Sequence, residues 1–448
     1  MNLSDSHHLT PALTEAQLAA HWMPFSGNRQ FKQDPRMLVG AQGCYYIDGA
    51  GRRVFDGLSG LWTCGLGHGR KEIADAIAQQ AVQLDYAPPF QFGHPAAFQL
   101  AERIASHMPA GLDRVFFVGS GSEAADTSLK MARAYWRIKG QGGKTRFIGR
   151  AKGYHGVNFG GISVGGIVGN RKLYGEGISA DHLPHTLLPG NAFTRGMPEQ
   201  GAHLAEDLLD LIALHDASTI AAVIVEPFSG SAGVIIPPKG YLQRLREICD
   251  AHGILLIFDE VITGFGRAGA WTGSEAFGVK PDMINFAKQV TNGAVPMGGV
   301  VASREIHDTF MAAGGPDYAI EFPHGYTYSA HPLACAAGLA TLDLLEREDA
   351  IGRVRELAPY FENAVHGLKG ARHVTDIRNY GLAAGLTIAA MPGEPARRPF
   401  EIAMRLWAKG FYVRFGGDTL QLAPAFVSQR SEIDSVVNAI GEALAAQN

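Results

Sequence analysis

An unbroken apolar run at residues 254–258, Ile-Leu-Leu-Ile-Phe, ends directly at the acidic Asp259. Such a run is typical of a strand buried on both faces, as in a parallel sheet covered by helices. A second short run, Met-Ile-Asn-Phe-Ala at residues 283–287, is followed in the same way by Lys288. We therefore expect both segments in one parallel sheet, with Asp259 and Lys288 at the strand ends where such sheets bind ligands.

Asp259 and Lys288 would then face one crevice. A lysine amine can form a Schiff base with a carbonyl compound, and a buried carboxylate can keep a heteroaromatic nitrogen protonated. An ordinary salt bridge between the two strand ends is the alternative, and the pair alone does not distinguish the two interpretations.

The surrounding sequence has the alternation of an α/β fold. Further strands are predicted at four short apolar segments, which are residues 115–118, 147–148, 220–225 and 299–302. Helices are predicted between them, for example over residues 123–139 and 240–252. Strands that alternate with helices indicate a mostly parallel sheet.

Both ends of the chain have a different pattern. Residues 44–56 are typical of a β-hairpin, and a long helix after Pro332 leads into shorter strands at residues 374–378, 384–388 and 411–414. The 448 residues exceed the size of a single core. We predict an N-terminal segment (1–66), a large domain (67–331) and a C-terminal small domain (332–448), with the small domain built from both chain ends.

Charge and cysteine content bear on the class of protein and its partners. The formal net charge of −4 gives no reason to expect nucleic acid or an anionic membrane. The 4 cysteines are scattered without a CxxC pair, which indicates reduced thiols. No apolar run is long enough to cross a membrane. We expect a cytoplasmic protein without a metal site.

The turn at residues 119–123, Gly-Ser-Gly-Ser-Glu, follows one predicted strand and begins a helix. Free N–H groups and the helix dipole make such a turn an anion site, to which the hydroxyls of Ser120 and Ser122 can add donors. The turn lacks the lysine of a P-loop and the spacing of a Rossmann motif. Taken alone, a glycine-serine turn before a helix is more often only a helix cap.

Three other motifs carry polar groups near strand ends. Tyr154-His155-Gly156 could lay an aromatic ring over a planar ligand or cap the core. Glu226 ends the strand at 220–225, where a carboxylate needs polar partners. The hydroxyl-rich and imidazole-rich residues 324–332 suit a second phosphate contact or a turn. Together, the motifs meet the binding needs of pyridoxal phosphate.

These motifs, in this order and spacing, resemble the class III aminotransferases, which have the type I fold of pyridoxal-phosphate enzymes. The resemblance rests on residues 119–123, 154–156, 225–227, 258–261, 263–267 and Lys288. It covers about His21 to Leu444. It implies a large domain with a mostly parallel seven-stranded sheet, a smaller α+β domain, and pyridoxal 5'-phosphate as cofactor. It also implies a homodimer that shares its active sites, with a tetramer as the alternative assembly.

The resemblance also implies roles for individual residues. Lys288 would hold the cofactor covalently and then move a proton as the catalytic base, while Asp259 would keep the ring nitrogen protonated. Tyr154 would stack on the ring, with Val261 on its opposite face. The remaining cofactor-binding residues implied are Ser120, Gly121, Ser122, His155, Glu226, Ile262 and, from the partner subunit, Thr327.

Within the family, segments 21–25, 58–64 and 410–418 resemble the β-alanine (ω-amino acid):pyruvate aminotransferases. This implies transfer of an amino group from β-alanine or another ω-amino acid to pyruvate. Taurine, a simple amine, or an aminomutase or racemase reaction are the alternatives. A binding protein without catalysis is disfavoured by the presence of both Lys288 and Asp259.

One difference between this chain and other members of the family bears on the identity of the amino acceptor. Ornithine-type and γ-aminobutyrate-type members pair a glutamate with an arginine, where this chain has Ser231 and Gln421. Losing both charges together is coherent, because either one alone would be uncompensated in a dry pocket. The departure argues against 2-oxoglutarate. Arg414 then becomes the candidate for carboxylate binding, and Trp62, Phe25 and Tyr154 would form an apolar wall for a short substrate.

Overall fold

The computed structural model describes residues 13–313 and 315–447. Its strands are β1 (Leu38–Gln42), β2 (Tyr45–Asp48), β3 (Arg53–Asp56), β4 (Leu112–Val118), β5 (Arg146–Arg150), β6 (Ala180–Leu183), β7 (Ile220–Val225), β8 (Leu255–Asp259), β9 (Met283–Ala287), β10 (Gly298–Ser303), β11 (Val374–Tyr380), β12 (Ala383–Ile388), β13 (Phe411–Tyr412), β14 (Arg414–Gly416) and β15 (Thr419–Leu422). The N-terminal part of the predicted segment 1–66, residues 1–12, lies outside the described residues.

The helices are α1 (Glu15–Ala20), α2 (Asn28–Gln33), α3 (Ser59–Trp62), α4 (Lys71–Gln83), α5 (Pro95–Ser106), α6 (Gly121–Ile138), α7 (Phe159–Val164), α8 (Val168–Tyr174), α9 (Asp207–His215), α10 (Tyr241–His252), α11 (Gly273–Phe277), α12 (Arg304–Met311), α13 (Pro332–Arg347), α14 (Ala350–His366), α15 (Arg397–Ala408) and α16 (Arg430–Ala445). The helices predicted over 123–139 and 240–252 are present as α6 and α10. Within the described part of the chain, no helix is long and apolar enough to cross a membrane.

The central sheet has seven strands in the order β4-β10-β9-β8-β7-β5-β6. Strands β5 to β9 pair in parallel. Strand β10 runs antiparallel to both of its neighbours, β4 and β9. The predicted mostly parallel, seven-stranded sheet is therefore confirmed.

Strands β7 and β8 are buried along their whole length, as their unbroken apolar sequences predict. Side chains on the two faces of the sheet pack into two separate apolar clusters. Ile257 and Met283 pack in the cluster that includes α6, and Phe258 and Ile284 pack in the cluster on the other face. Burial on both faces explains why neither β8 nor β9 alternates apolar with polar residues.

The two chain ends meet in a second sheet. Its strands have the order β1-β2-β3-β13, so a strand from near the C-terminus pairs in parallel with the predicted N-terminal hairpin. A third sheet, β11-β12-β15-β14, is antiparallel throughout. The predicted strand at 411–414 is wrong as one element, because the chain passes from the second sheet to the third at the buried Val413. The boundaries at residues 66 and 331 stay predictions.

Candidate functional site

A pocket lies at the carboxyl ends of the central parallel strands. It is lined by Gly121, Ser122, Tyr154, Gly156, Glu226, Asp259, Val261, Ile262, Ala287 and Lys288. The lining comes from residues that end or follow β4, β5, β7, β8 and β9. Segments far apart in the sequence therefore meet at one edge of the sheet, where α/β folds bind ligands.

Asp259 is the last residue of β8 and is 5% exposed. The ring Nδ1 of His155 donates a hydrogen bond to Asp259 Oδ2 at 2.8 Å, and the backbone N–H of Val261 donates to Oδ1 at 3.2 Å. The carboxylate is thus paired with His155 rather than with Lys288, so the simple salt bridge between strand ends is not formed.

Lys288 follows β9 and lines the same pocket. Burial lowers the pKa of its amine to about 8, and the positive charge of Arg414 acts in the same direction, whereas the carboxylate of Asp259 raises the pKa. An amine with this pKa is partly unprotonated near neutrality. Only the unprotonated amine is a nucleophile or a base.

Glu226 connects two loops at the side of the pocket. Its Oε1 accepts from the backbone N–H of Tyr154 at 3.0 Å, and its Oε2 accepts from that of Gly230 at 3.0 Å. Burial raises the pKa of Glu226 to about 7. The Tyr154 ring is held beside the pocket by this contact, and burial raises the pKa of its phenol as well.

The start of α6 forms a close-packed cradle. Ser120 is the N-cap, and its Oγ accepts from the backbone N–H of Glu123 at 3.2 Å. A Cβ added to Gly156, whose φ is +86°, would lie 2.4 Å from Ser122 Oγ, and one added to Gly121 would lie 3.0 Å from Val261. Glycine at these two positions keeps the helix terminus accessible, as an anion site requires.

Arg414, Gln421 and Ser231 are brought together. Arg414 of β14 lies directly opposite Gln421 of β15 in the antiparallel sheet. The side-chain Nε2 of Gln421 donates to the backbone oxygen of Ser231 at 2.9 Å. The two positions predicted to replace a charge pair are therefore in contact, without a charge on either side chain.

Eight predicted residues lie outside the set that lines the pocket: Ser120, His155, Arg414, Gln421 and Ser231, whose contacts are given above, and Phe25, Trp62 and Thr327. Phe25 is 78% exposed. Trp62 is buried, with the Arg267 guanidinium 5.9 Å from its ring. Thr327 is exposed, and its carbonyl accepts from the hydroxyl of Tyr86 at 3.1 Å. The proposed roles of these residues stay predictions.

Residues 27–444 match the family model for aminotransferase class-III. The chain belongs to the class III aminotransferases. It is 64% identical to a β-alanine–pyruvate aminotransferase of Pseudomonas aeruginosa, over 97% of both chains. It is 60% identical to an ω-amino acid–pyruvate aminotransferase of Pseudomonas putida, over 96% of both chains.

Solved structures agree with this membership. An amine transaminase from an uncultivated Pseudomonas species, in its PLP-bound form, has a TM-score of 0.87 at 36% identity, over 96% of this chain and 99% of that one. An (S)-enantioselective ω-transaminase from Thermomicrobium roseum has a TM-score of 0.90 at 34% identity, over 96% of this chain and 97% of that one. The fold of this class III aminotransferase is therefore the type I fold, and its family implies pyridoxal phosphate as cofactor.

Sequence reasoning assigned no role to two buried arginines of this aminotransferase. Arg150 ends β5 and donates to the backbone oxygen of Glu226 at 2.8 Å. Arg267 donates to the backbone oxygen of Pro424 at 2.7 Å and to Ser59 Oγ at 3.1 Å. Arg150 could have been singled out from the sequence, because it is a charged residue at the end of a short buried strand.

Proposed function

We propose that this chain binds pyridoxal 5'-phosphate and transfers the amino group of β-alanine, or of another ω-amino acid, to pyruvate. The products are malonate semialdehyde, or the corresponding aldehyde or ketone, and L-alanine. The observation that carries the proposal is the single pocket lined by both Asp259 and Lys288. The names of the two relatives above support the choice of donor and acceptor.

The residues of the pocket fit the cofactor. Ser120, Gly121 and Ser122 present the start of a helix to a phosphate, and Tyr154, Val261 and Ile262 offer surfaces for a planar ring. Buried beside His155, the carboxylate of Asp259 can hold a proton on a ring nitrogen. Bound pyridoxal phosphate supplies an electron sink for negative charge that develops on the substrate carbon.

Lys288 then has two tasks. Its amine would hold the cofactor between turnovers, and once released it would take a proton from the amine-bearing carbon of the substrate and deliver that proton to the cofactor. The low pKa of about 8 suits both, because each needs the unprotonated amine. Glu226 positions the Tyr154 loop by accepting from the backbone N–H of Tyr154 with one oxygen and from that of Gly230 with the other.

The acceptor is proposed from the charges around the pocket. A dicarboxylate such as 2-oxoglutarate needs a second cation for its distal carboxylate, whereas Gln421 and Ser231 are uncharged and bonded to each other. Pyruvate carries a single carboxylate. The guanidinium of Arg414, which acts electrostatically on Lys288 and Tyr154, is the proposed partner of that carboxylate.

A second copy of the chain is proposed to complete the site. Thr327 is exposed, and exposed aromatic side chains lie near it: Tyr86 donates to its carbonyl, Tyr328 beside it is 64% exposed, and Phe90, which lies against Gly325, is 54% exposed. Exposed apolar patches of this kind favour protein contacts. We propose a homodimer, alone or as half of a tetramer, in which Thr327 of the partner subunit contacts the phosphate. Location in the cytoplasm stays a prediction.

The half-reactions test the proposed substrates directly. Adding β-alanine to the cofactor-loaded protein without an acceptor should remove the visible absorbance of the lysine-bound cofactor, and pyruvate should restore it. Recovery with 2-oxoglutarate but not with pyruvate would contradict the acceptor. If taurine or a simple amine removes this absorbance faster than β-alanine does, that compound is the preferred amino donor. Turnover without any acceptor would indicate an aminomutase or racemase.

Substitution of Arg414 by alanine should separate carboxylate substrates from simple amines. We expect kcat/KM for β-alanine and pyruvate to fall about 10- to 100-fold, because a charge-assisted hydrogen-bonded pair is lost. The amine half-reaction of 1-phenylethylamine should stay within about threefold, since it has no carboxylate to bind. Steady-state and half-reaction kinetics measure both values.

Two further variants control this test. Arg414→Lys should give an intermediate loss, because an ammonium keeps the charge without the bidentate geometry. Arg430→Ala, which removes a guanidinium that lies over the Tyr360 ring, should leave both substrates unaffected. Equal losses on β-alanine and on the amine would reject carboxylate binding by Arg414.

A further inference from the structure

The backbone of Lys288 has an unusual conformation. Its φ is +54°, in the left-handed region that side chains other than glycine adopt rarely. Lys288 begins a 3₁₀ turn, Lys288–Thr291, that is followed by Asn292 with a φ of +49°. Two non-glycine residues with positive φ around one turn persist only where the surrounding structure holds them.

Two buried amide side chains of this turn form a continuous hydrogen-bond network. Gln289 is 3% exposed and Asn292 is 6% exposed. Gln289 Oε1 accepts from the backbone N–H of Gly65 at 2.6 Å, and Gln289 Nε2 donates to Asn292 Oδ1 at 3.3 Å. Asn292 Oδ1 accepts from the N–H of Leu66 at 3.0 Å, and Asn292 Nδ2 donates to the oxygen of Gly67 at 2.9 Å.

The segment that receives these bonds is itself held firmly. Asp56 accepts from the N–H of Leu58 at 3.1 Å and from His68 Nε2 at 2.7 Å, on either side of residues 65–67. Packing is also tight, because a Cβ added to Gly65 would lie 2.5 Å from Gln289 Oε1. The turn of Lys288 is therefore tied to an anchor that belongs to the N-terminal part of the chain.

We propose that Gln289 and Asn292 are positioning residues that hold Lys288 in its left-handed conformation and so direct its amine into the pocket. The proposal rests on the function proposed above, in which Lys288 is the reacting amine. Amides suit this task, because they satisfy donors and acceptors together without placing a charge beside the amine. A carboxylate at either position would attract and stabilise the protonated amine.

The test compares Gln289→Met and Asn292→Gly with a matched control, Gln243→Met. Methionine keeps the length of glutamine without its hydrogen bonds, and glycine adopts the φ of Asn292 without strain. Gln243 Nε2 donates to the backbone oxygen of Phe277 at 2.8 Å, away from the pocket lining. The control therefore removes a comparable hydrogen bond of a side-chain amide elsewhere in the fold.

Two readouts separate positioning from stability. In the cofactor-free full chain, reductive methylation of Lys288 is followed by mass spectrometry as a function of pH. In the unsubstituted protein, the rate should rise with pH through about 8, because only the free amine reacts. In both variants the pH at which the methylation rate is half-maximal (the Lys288 midpoint) should rise by about one unit, towards the value for an exposed lysine. With β-alanine and pyruvate, kcat should fall about tenfold or more while KM stays within about threefold.

The control sets the result that would overturn the proposal. Gln243→Met should lower the thermal midpoint at most, without moving the Lys288 midpoint or kcat. If Gln289→Met and Asn292→Gly behave like this control, the network is merely structural. Should Gln289→Met fail to fold, Asn292→Gly decides alone. Failure of the proposed function is distinguishable, because donor or acceptor specificity can be wrong while the Lys288 midpoint still moves.

Discussion

Lys288→Ala should lower kcat for transfer from β-alanine to pyruvate by more than about a thousandfold, because alanine supplies neither a nucleophile nor a base. The same variant should hold pyridoxal phosphate only noncovalently, so that borohydride reduction attaches no cofactor to the chain. Initial rates and mass spectrometry of the reduced protein measure the two effects.

A variant of an exposed lysine controls for any general effect of removing a lysine side chain. Lys280 precedes β9, at the strand end opposite to Lys288, and its Nζ donates to the backbone oxygen of Ala110 at 2.8 Å. Lys280→Ala should keep both the rate and the covalent cofactor. A Lys288→Ala rate within tenfold of the unsubstituted enzyme would contradict the proposed role of the amine.

Asp259→Asn is expected to have the next largest effect. The asparagine side chain has nearly the same shape and can still contact His155, but it lacks the negative charge that would keep a ring nitrogen protonated. We expect kcat to fall on the order of a hundredfold or more, as when one preorganised electrostatic contact is removed. Stopped-flow measurement of the β-alanine half-reaction tests this directly.

The same substitution should also change the titration of Lys288. The carboxylate of Asp259 raises the pKa of that amine, so its removal should lower the pKa further below the ordinary lysine value. Methylation of Lys288 in the cofactor-free protein should then begin at lower pH.

Asp282→Asn is the control for a lost carboxylate. Asp282 accepts from Arg246 at 2.8 Å and from the N–H of Leu256 at 2.7 Å, at the strand ends opposite to the pocket. This variant should lower stability while kcat and the Lys288 titration stay unchanged. An Asp259→Asn variant with the kcat of the unsubstituted enzyme would show that the carboxylate does not act on the cofactor.

The apolar runs of β7 and β8, and the mostly apolar run of β9, were predictable because burial on both faces leaves the sequence without regular alternation. Strand β6 was missed, since it is a four-residue edge strand, Ala-Asp-His-Leu, that pairs with β5 alone and needs little apolar sequence. The direction of β10 was equally hidden. Antiparallel and parallel strands in a covered sheet have the same burial, and only the path of the chain between them decides direction.

At the site, sequence alone indicated that Asp259 and Lys288 face one pocket, because both residues end buried strands and such ends share one edge of a sheet. The chain's membership in the class III aminotransferases could likewise be recognised from the order of its motifs. The contact between Gln421 and Ser231 was suggested only by comparison with other members of that family.

Tertiary structure decided what depends on contacts between distant segments. The left-handed backbone of Lys288, the buried amides of Gln289 and Asn292, and their bonds to residues 65–67 have no local signature. The amides meet partners more than two hundred positions away in the sequence. Asp259 and Lys288 could be recognised at strand ends because a buried strand requires a short apolar run, which is visible in the local sequence. The orientation of the Lys288 amine depends instead on hydrogen bonds that exist only after the chain has folded.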